Sequence, residues 1–426
     1  MLYLKNIKTI DNQGQLYPME VIIQSDEITY LGQNLSQLMT SDCQLIDGQG
    51  GLLVPGLIDV HVHLREPGGE HKETIASGSR AAARGGYTTI CAMPNLNPVP
   101  DNKATLASIY NSIQSDAVID VRQYATLTKE LTSETELVDY QALSEKGAFA
   151  FTNDGVGVQT AGTMYEAMLA AAQVRKPVVA HTEDNSLLYN GVMHQGDKNE
   201  HLQLPGMLAL TESTQIARDV LLAEQTGVHY HVCHISSKES VRVIREAKKA
   251  GIRVTCEVSP HHLLLNDASI QNDDANFKMN PPLRSEADRL ALLEGLLDGT
   301  IDMIATDHAP HASEEKSKGF IESPFGITGI ETAFQLLYTY LVKEGYCTLS
   351  QLVSWMSVRP SEIFDLPLGK IQVGGLANLA IFAIDEKTLN DKNDFLSKSN
   401  NSPFIDWEIY GETIATIYQG KIVYQR

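Results

Sequence analysis

The stretch Leu52-Leu53-Val54-Pro55-Gly56-Leu57-Ile58-Asp59-Val60-His61-Val62-His63-Leu64-Arg65 runs from an apolar segment into two histidines spaced i, i+2, with an arginine two residues further on. In a β-strand, side chains at i and i+2 point to one face. A strand that ends on His-x-His therefore presents two imidazoles side by side, enough to hold one metal ion. Two solvated histidines at a surface strand end are the alternative, and the spacing alone does not separate the readings. Arg65 follows closely enough to clamp an anionic substrate.

Downstream of this stretch the same rhythm recurs. Apolar runs fall at residues 53–61, 87–93, 118–127, 148–152, 177–181, 228–234, 253–258 and 301–307. The segments between them, such as 74–84, 163–173, 213–224, 238–249 and 286–297, carry apolar residues at spacings of three and four, the period of a helix. Strand and helix alternating in this way predict an α/β fold, a (β/α)8 TIM-type barrel. No Gly-x-Gly-x-x-Gly follows the first run, which disfavours an open dinucleotide-binding sheet. Both chain ends instead carry short alternating segments broken by turns such as Asp11-Asn12-Gln13-Gly14 and Asp47-Gly48-Gln49-Gly50. Neither end has enough strands to stand alone. They are expected to pair into one small, antiparallel β-sandwich of residues 1–52 plus 366–426, with 53–365 forming the metal-dependent catalytic barrel. The polar stretch 387–402 reads as a surface loop of the terminal unit.

The chain has 426 residues, 33 Lys+Arg against 53 Asp+Glu and a formal net charge of -20. Such a balance repels phosphate backbones and anionic lipid, which argues against nucleic-acid and membrane roles. A small anionic substrate remains compatible, because a metal and a local arginine override the global field. The five cysteines (Cys43, Cys91, Cys233, Cys256 and Cys347) are scattered, odd in number and without a Cys-x-x-Cys pair. This usage fits reduced thiols and a cytoplasmic location.

In a barrel, catalytic side chains project from the C-terminal ends of the strands. The polar residues there are His61 and His63, Asn95, Asp154, His181, His234 and Asp307. In a strict alternation, His234 shares a face with Val228, Tyr230 and Val232, and Asp307 with Ile301, Met303 and Ala305. Burying so many polar groups without partners costs several kcal/mol each, and a metal centre supplies partners for all. Four histidines and two aspartates exceed the three protein ligands of a single catalytic zinc. They divide into two metals sharing one carboxylate, an arrangement that supplies hydroxide for hydrolysis at neutral pH.

Several blocks resemble the amidohydrolase superfamily, and within it the long-chain (type I) bacterial dihydroorotases. They are DVHVHLREPG (59–68), MPNLNP (93–98), FTNDG (151–155), AHTED (180–184), HVCHIS (231–236), CEVSPHH (256–262), MNPPLR (279–284), ATDHAPH (305–311) and SPFGITGIE (323–331). The resemblance implies a zinc-dependent hydrolase of cyclic amides that interconverts (S)-dihydroorotate and N-carbamoyl-L-aspartate in pyrimidine synthesis. It implies two zinc ions bridged by Asp154 and a hydroxide. His61, His63 and Asp307 would hold one ion, His181 and His234 the other, and Asp307 would also be the catalytic proton carrier. Arg65, Asn95 and His311, with His63, would bind substrate, the first three at its carboxylate. Asn280, Phe325 and Gly326 would contact the ring amides. A homodimer, and association with a transcarbamoylase, follow from the same resemblance. Related hydantoinases and many other members bridge their metals with a carbamylated lysine; the FTNDG block has none, and Asp154 offers a carboxylate directly. Leu96 and Asn153 stand where the family usually has threonine and often has aspartate. An allantoinase or hydantoinase acting on another ring is one alternative, and a silent scaffold is another, although a silent copy would be expected to lose ligands.

The remaining histidines and their neighbours carry no functional pattern of their own. His71, His194, His201 and His229 read as solvated or structural, and His231 and Cys233 as packing. His261, His262, His308, Glu183 and Asp184 sit beside candidate ligands with supporting and structural readings both open.

Overall fold

A computed structural model of the chain describes residues 1–11, 13–132 and 136–426; Asn12 of the first predicted turn lies outside them. The N-terminal strands are β1 (Leu2–Ile10), β2 (Leu16–Gln24), β3 (Glu27–Gly32) and β4 (Gln44–Pro55). The barrel begins with β5 (Leu57–Val62), β6 (Tyr87–Ala92) and β7 (Asp120–Gln123), paired in parallel. After β8 (Val178–Ala180) comes a two-residue ribbon, β9 (Met193–His194) with β10 (Gly206–Met207). Then β11 (Tyr230–Val232), β12 (Val254–Val258) and β13 (Met303–Ile304) extend the parallel set from β8. Three single-residue bridges close the circle. Phe151, standing as the fourth strand, bridges Ala125 and Val178, and His308 bridges Val62.

The helices up to β13 are α1 (Ile75–Arg84), α2 (Lys103–Asp116), α3 (Tyr140–Glu145), α4 (Ala161–Gln173), α5 (Asp197–Leu202), α6 (Leu210–Thr226), α7 (Lys238–Lys249), α8 (Pro260–Leu264) and α9 (Glu286–Leu297), and five shorter ones follow between residues 313 and 364. Thr74, Thr160, Ser237 and Ser285 start α1, α4, α7 and α9 by accepting a backbone N–H of the first turn, which satisfies a donor the helix cannot. In α7 the buried Val241, Ile244 and Ala247 form the inward stripe while the lysines, arginines and glutamates face out. Inside the barrel, Ile58, Val60, Cys91, Met93, Tyr124, Val179, Met303 and Ala305 pack together. Leu57, Ile90, Val121, Val178 and Tyr230 face the surrounding helices.

The terminal strands β14 (Leu379–Leu389), β15 (Glu408–Tyr418) and β16 (Lys421–Gln425) join the N-terminal ones in one seven-stranded sheet of order β16-β15-β14-β4-β1-β2-β3. The sheet folds over its own inner face, where Leu4, Val21, Ile28, Leu53, Leu379, Ile381 and Ile417 share one core. In β14 the alternate residues Ala380, Phe382 and Ile384 join the barrel core instead. This strand is buried on both faces, which accounts for its unbroken apolar run.

The structure corrects three expectations. The run 53–61 divides at Gly56, so Leu53, Val54 and Pro55 pair with Ile381, Ala380 and Leu379 of the terminal sheet, and the first barrel strand starts at Leu57. The terminal sheet is mixed, because β1 and β4 run parallel. Residues 387–402 are not merely a surface loop: Lys387–Leu389 complete β14, and Ser397, Ser399, Asn401 and Ser402 are buried. A polar loop becomes buried when its polar groups find partners, and those partners lie at the mouth of the barrel.

Candidate active site

His61 and His63 leave β5 where its pairing with β6 slips between Asp59 and Val62. Their Nε2 atoms converge on Asp307 Oδ1, at 3.4 and 3.1 Å. Across the mouth, His181 Nδ1 and His234 Nε2 lie 3.1 Å apart, and each is 3.9 Å from Asp154 Oδ1. Asp154 stands between the two groups, with Oδ1 3.3 Å from His61 Nε2 and Oδ2 3.6 Å from His63 Nε2. All six are buried. The strand-phase argument for His234 does not hold, however. Tyr230 and Val232 face the helices, and His234 reaches the mouth because its backbone turns to φ 29° just past the strand. Asp307 (φ 48°) and Arg65 (φ 60°) are also left-handed. Each such residue costs about 1–3 kcal/mol of strain and persists only where its surroundings hold it.

Those surroundings are specific. His61 Nδ1 donates to Glu257 Oε1 (2.7 Å), which leaves Nε2 facing the site. Glu257 Oε2 accepts from His231 Nε2 (3.0 Å), so a histidine read as packing holds the carboxylate that orients His61. Burial raises the Glu257 carboxyl pKa, but these bonds outweigh it and hold the group at about 2. His63 Nδ1 lies 2.9 Å from Asn95 Oδ1, and Asn95 Nδ2 reaches Asp154 Oδ2 at 3.3 Å. Burial also acts to raise Asp307, but the imidazoles of His61, His63 and His234 keep its carboxyl below the usual range. Burial pushes the Cys233 thiol up, so beside His61 it remains protonated.

The donor set fits metal ions. His61 Nε2 and Asp154 Oδ1 are buried, lack hydrogen bonds and face each other. The ligating atoms of His61, His63 and Asp307 lie within 4.8 Å of one another, as do those of His61, Asp154 and His234. A divalent ion among imidazoles and carboxylates would satisfy atoms whose burial is otherwise costly.

Beside this cluster is a cavity of about 180 Å³, roughly six water volumes at ~30 Å³ each. Arg65, Asn95, Asn280, His311, Phe325 and Gly326 line it together with His63. Arg65 has no carboxylate partner among the described residues; its Nε donates to Pro310 O and an Nη lies 3.3 Å from His311 Nε2. Burial pushes its pKa down to about 10, so it stays charged at neutral pH. His311 lies 2.8 Å from Phe325 O, and burial beside Arg65 and Lys72 lowers its pKa to about 2. Asn280 donates to Glu183 Oε2 (2.6 Å), leaving its carbonyl free.

The chain is similar to known proteins over its whole length. A family model described as dihydro-orotase-like matches residues 50–240. A dihydroorotase of Enterococcus faecalis is 55% identical over 421 residues, covering 99% of this chain and 98% of that one. Another, of Listeria monocytogenes, is 55% identical over 424 residues, covering 100% and 99%. The chain belongs to the dihydroorotase family. Solved structures share its fold, a TIM-type barrel with a terminal β-sandwich. An L-hydantoinase from Arthrobacter aurescens superposes with a TM-score of 0.86 at 22% identity, covering 100% of this chain and 96% of that chain. A D-hydantoinase from Thermus sp. gives 0.85 at 25%, covering 100% and 95%.

This dihydroorotase-family site also contains residues that motif reading did not single out. Asn401 Oδ1 accepts His311 N–H (3.0 Å), while its Nδ2 donates to the carbonyls of Ala309 and Gly326. Glu73 bonds Ser77, Ser397 and the backbone N–H of Lys398, and lies 3.4 Å from His308. Lys316 donates to the carbonyls of Lys278, Pro324 and Gly326. Asn401 and Glu73 tie the cavity wall to the 397–402 segment, and Lys316 holds the 324–326 backbone. Polar residues distant in sequence carry no motif signal, and only the buried polar character of Ser397 to Ser402 could have pointed to them. His262 holds Pro281 O (2.9 Å), next to Asn280. His71 is exposed, and His194 and His201 lie outside the cavity.

Proposed function

We propose that the cavity interconverts (S)-dihydroorotate and N-carbamoyl-L-aspartate, with Asp307 as the proton carrier and Arg65, Asn95 and His311 as the carboxylate clamp. The chain is a hydrolase of cyclic amides of the dihydroorotase family, and its substrate is a small molecule. The observation that carries the substrate reading is Arg65, a half-buried guanidinium without a carboxylate partner among the described residues, facing the imidazole–carboxylate cluster across one small cavity. A neutral hydantoin ring leaves that charge uncompensated; the carboxylate of dihydroorotate matches it bidentately.

In this reading His61, His63 and Asp307 would hold one zinc ion and His181 and His234 a second, with the Asp154 carboxylate available to both. Bound metal supplies a water of lowered pKa and a polarised carbonyl. The protein's own residues do the rest. Arg65, Asn95 and His311 fix the ring by its carboxylate, and Asn280 and the Phe325-Gly326 backbone meet the ring amides. The attacking water's oxygen bonds to the amide carbon and the ring C–N bond breaks. Asp307 accepts a proton from that water and returns it to the departing nitrogen. In the reverse direction the carbamoyl nitrogen attacks the side-chain carboxylate carbon and water leaves.

The proposal extends to the division into a terminal unit (1–52 plus 366–426) and a catalytic barrel (53–365), supported by the common core of the end strands. It includes a homodimer, association with a transcarbamoylase and a cytoplasmic location. The five unpaired cysteines support the last, and among the described residues no helix is long and apolar enough to cross a membrane. Metal analysis beside a turnover assay on dihydroorotate, allantoin and hydantoin is the test. Two zinc equivalents with turnover of dihydroorotate alone sustain the reading. Turnover of another ring only, or of none by the metal-loaded protein, overturns it.

A further inference from the structure

At the other end of the barrel, where the strands begin, lies a second cavity of about 770 Å³. Its wall is formed by Arg122 within β7 and by residues just before three other strands: Lys176 before β8, His229 before β11 and Arg253 before β12. Arg175 stands beside Lys176 on the same wall. In a chain of net charge -20, four basic side chains around one hollow run against the overall field. Among the described residues, Arg175, Lys176 and Arg253 form no side-chain hydrogen bond or ion pair; Arg175 and Arg253 are exposed and Lys176 is half-buried. Arg122 is held by Asp120 at 2.9 Å. Asp365 contributes a single carboxylate to the lining. Burial first, and then the nearby Arg122, lower the Lys176 ammonium pKa.

Phe149, Ile363, Phe364 and Leu366 add an apolar part to the wall. The rings of Phe149 and Phe364 are 5.5 Å apart, and His229 lies 5.8 Å from Phe364. Burial, His231 and Arg253 lower the His229 pKa to about 3, so it presents a neutral ring. The volume is that of a small-molecule pocket, and unpaired arginine and lysine facing one hollow suit phosphate oxygens. The concavity and the acidic remainder of the surface disfavour a nucleic-acid strand.

We propose that this cavity is a second ligand site, separate from the catalytic mouth, that binds a small phosphate-bearing anion. The phosphate sits among Lys176, Arg253, Arg175 and Arg122. Any ring attached to it rests against Phe149 and Phe364. The ligand can be inorganic or a nucleoside phosphate, since both present the same oxygens.

Calorimetric titration of the metal-loaded full chain with inorganic pyrophosphate, and separately with adenosine 5′-monophosphate, tests the site. Saturable binding of either probe sustains the proposal. Tighter binding of the nucleotide assigns the aromatic wall a role, and equal or tighter binding of pyrophosphate assigns the inorganic source. The paired variant Lys176→Ala/Arg253→Ala should weaken binding about 10- to 100-fold while leaving its melting temperature and dihydroorotate turnover unchanged. Binding should survive Arg65→Ala and saturating dihydroorotate. No binding of either probe at low ionic strength overturns the proposal. So does binding lost with Arg65→Ala but untouched by the paired variant, which would place the anion in the catalytic cavity.

Discussion

The two ends of the barrel spend polar residues in opposite ways. At the C-terminal mouth most charged groups are locked to another. His61 is tied to Glu257, His63 to Asn95 and Asp307, and Asn280 to Glu183. Three residues there tolerate left-handed backbone. At the N-terminal mouth the cations Arg175, Lys176 and Arg253 line open space. Bond-making chemistry needs reacting atoms held to a fraction of an ångström, which interlocked partners supply. Holding an anion asks only for charge density and room. Arg65 is the exception at the upper end, a cation without a carboxylate partner among the described residues, and it is the group assigned to the substrate.

Breaking the interlocked end should give the largest effects. Asp307→Asn should lower turnover by about 10²–10⁴-fold, the usual contribution of a positioned acid–base group, with metal content by elemental analysis largely retained. Normal turnover in that variant removes Asp307 as the proton carrier. Arg65→Ala should raise KM for dihydroorotate about 10- to 100-fold, the value of a charged hydrogen-bonded contact, with little change in metal content. An unchanged KM would sink the clamp. Glu257→Gln weakens the support of His61 and should cost about 10- to 100-fold in metal affinity, read by chelator competition, with activity recovered in excess zinc. Asn401→Ala, which frees the backbone of His311, Ala309 and Gly326, should raise KM only several-fold, at about 1 kcal/mol for a neutral hydrogen bond.

The open end sharpens the comparison through pH rather than rate. The folded His229 pKa of about 3 lies below the usual value of 6.5, so the unfolded chain binds its proton first as the solution is acidified. Its contribution to stability is complete above about pH 6.5 and is lost as pH falls towards 3. The groups facing it are His231, Arg253 and the hydroxyl of Thr255. In His229→Gln, the difference between urea midpoints at pH 5 and pH 7.5 should shrink, with dihydroorotate turnover at pH 8 unchanged. An equal difference in the variant would remove His229 from the acid limb.

Local reading succeeded where a residue's role depends on its neighbours in sequence. The helices predicted at 238–249 and 286–297 appear with those bounds, because an apolar stripe and a serine cap are both written within a few residues. The six histidines and aspartates assigned to the metals lie together at the strand ends. Reading failed where backbone departs from the regular period, as at His234, whose inward turn is a left-handed residue and not a strand phase. It also failed for the connections of long sequence separation, Glu257 to His61 and Asn401 to His311.

By itself, the sequence determined the alternation of strand and helix, the apolar faces and the chemical inventory of the mouth, since periodicity and residue type are local properties. Tertiary structure decided where Gly56 divides one apolar run between two sheets, which partner orients each imidazole, and that Arg122, Lys176, His229 and Arg253, up to 131 residues apart by their numbers, share one hollow. Closing a barrel is what makes neighbours of strand ends remote in the chain, and no local pattern records which groups will meet there.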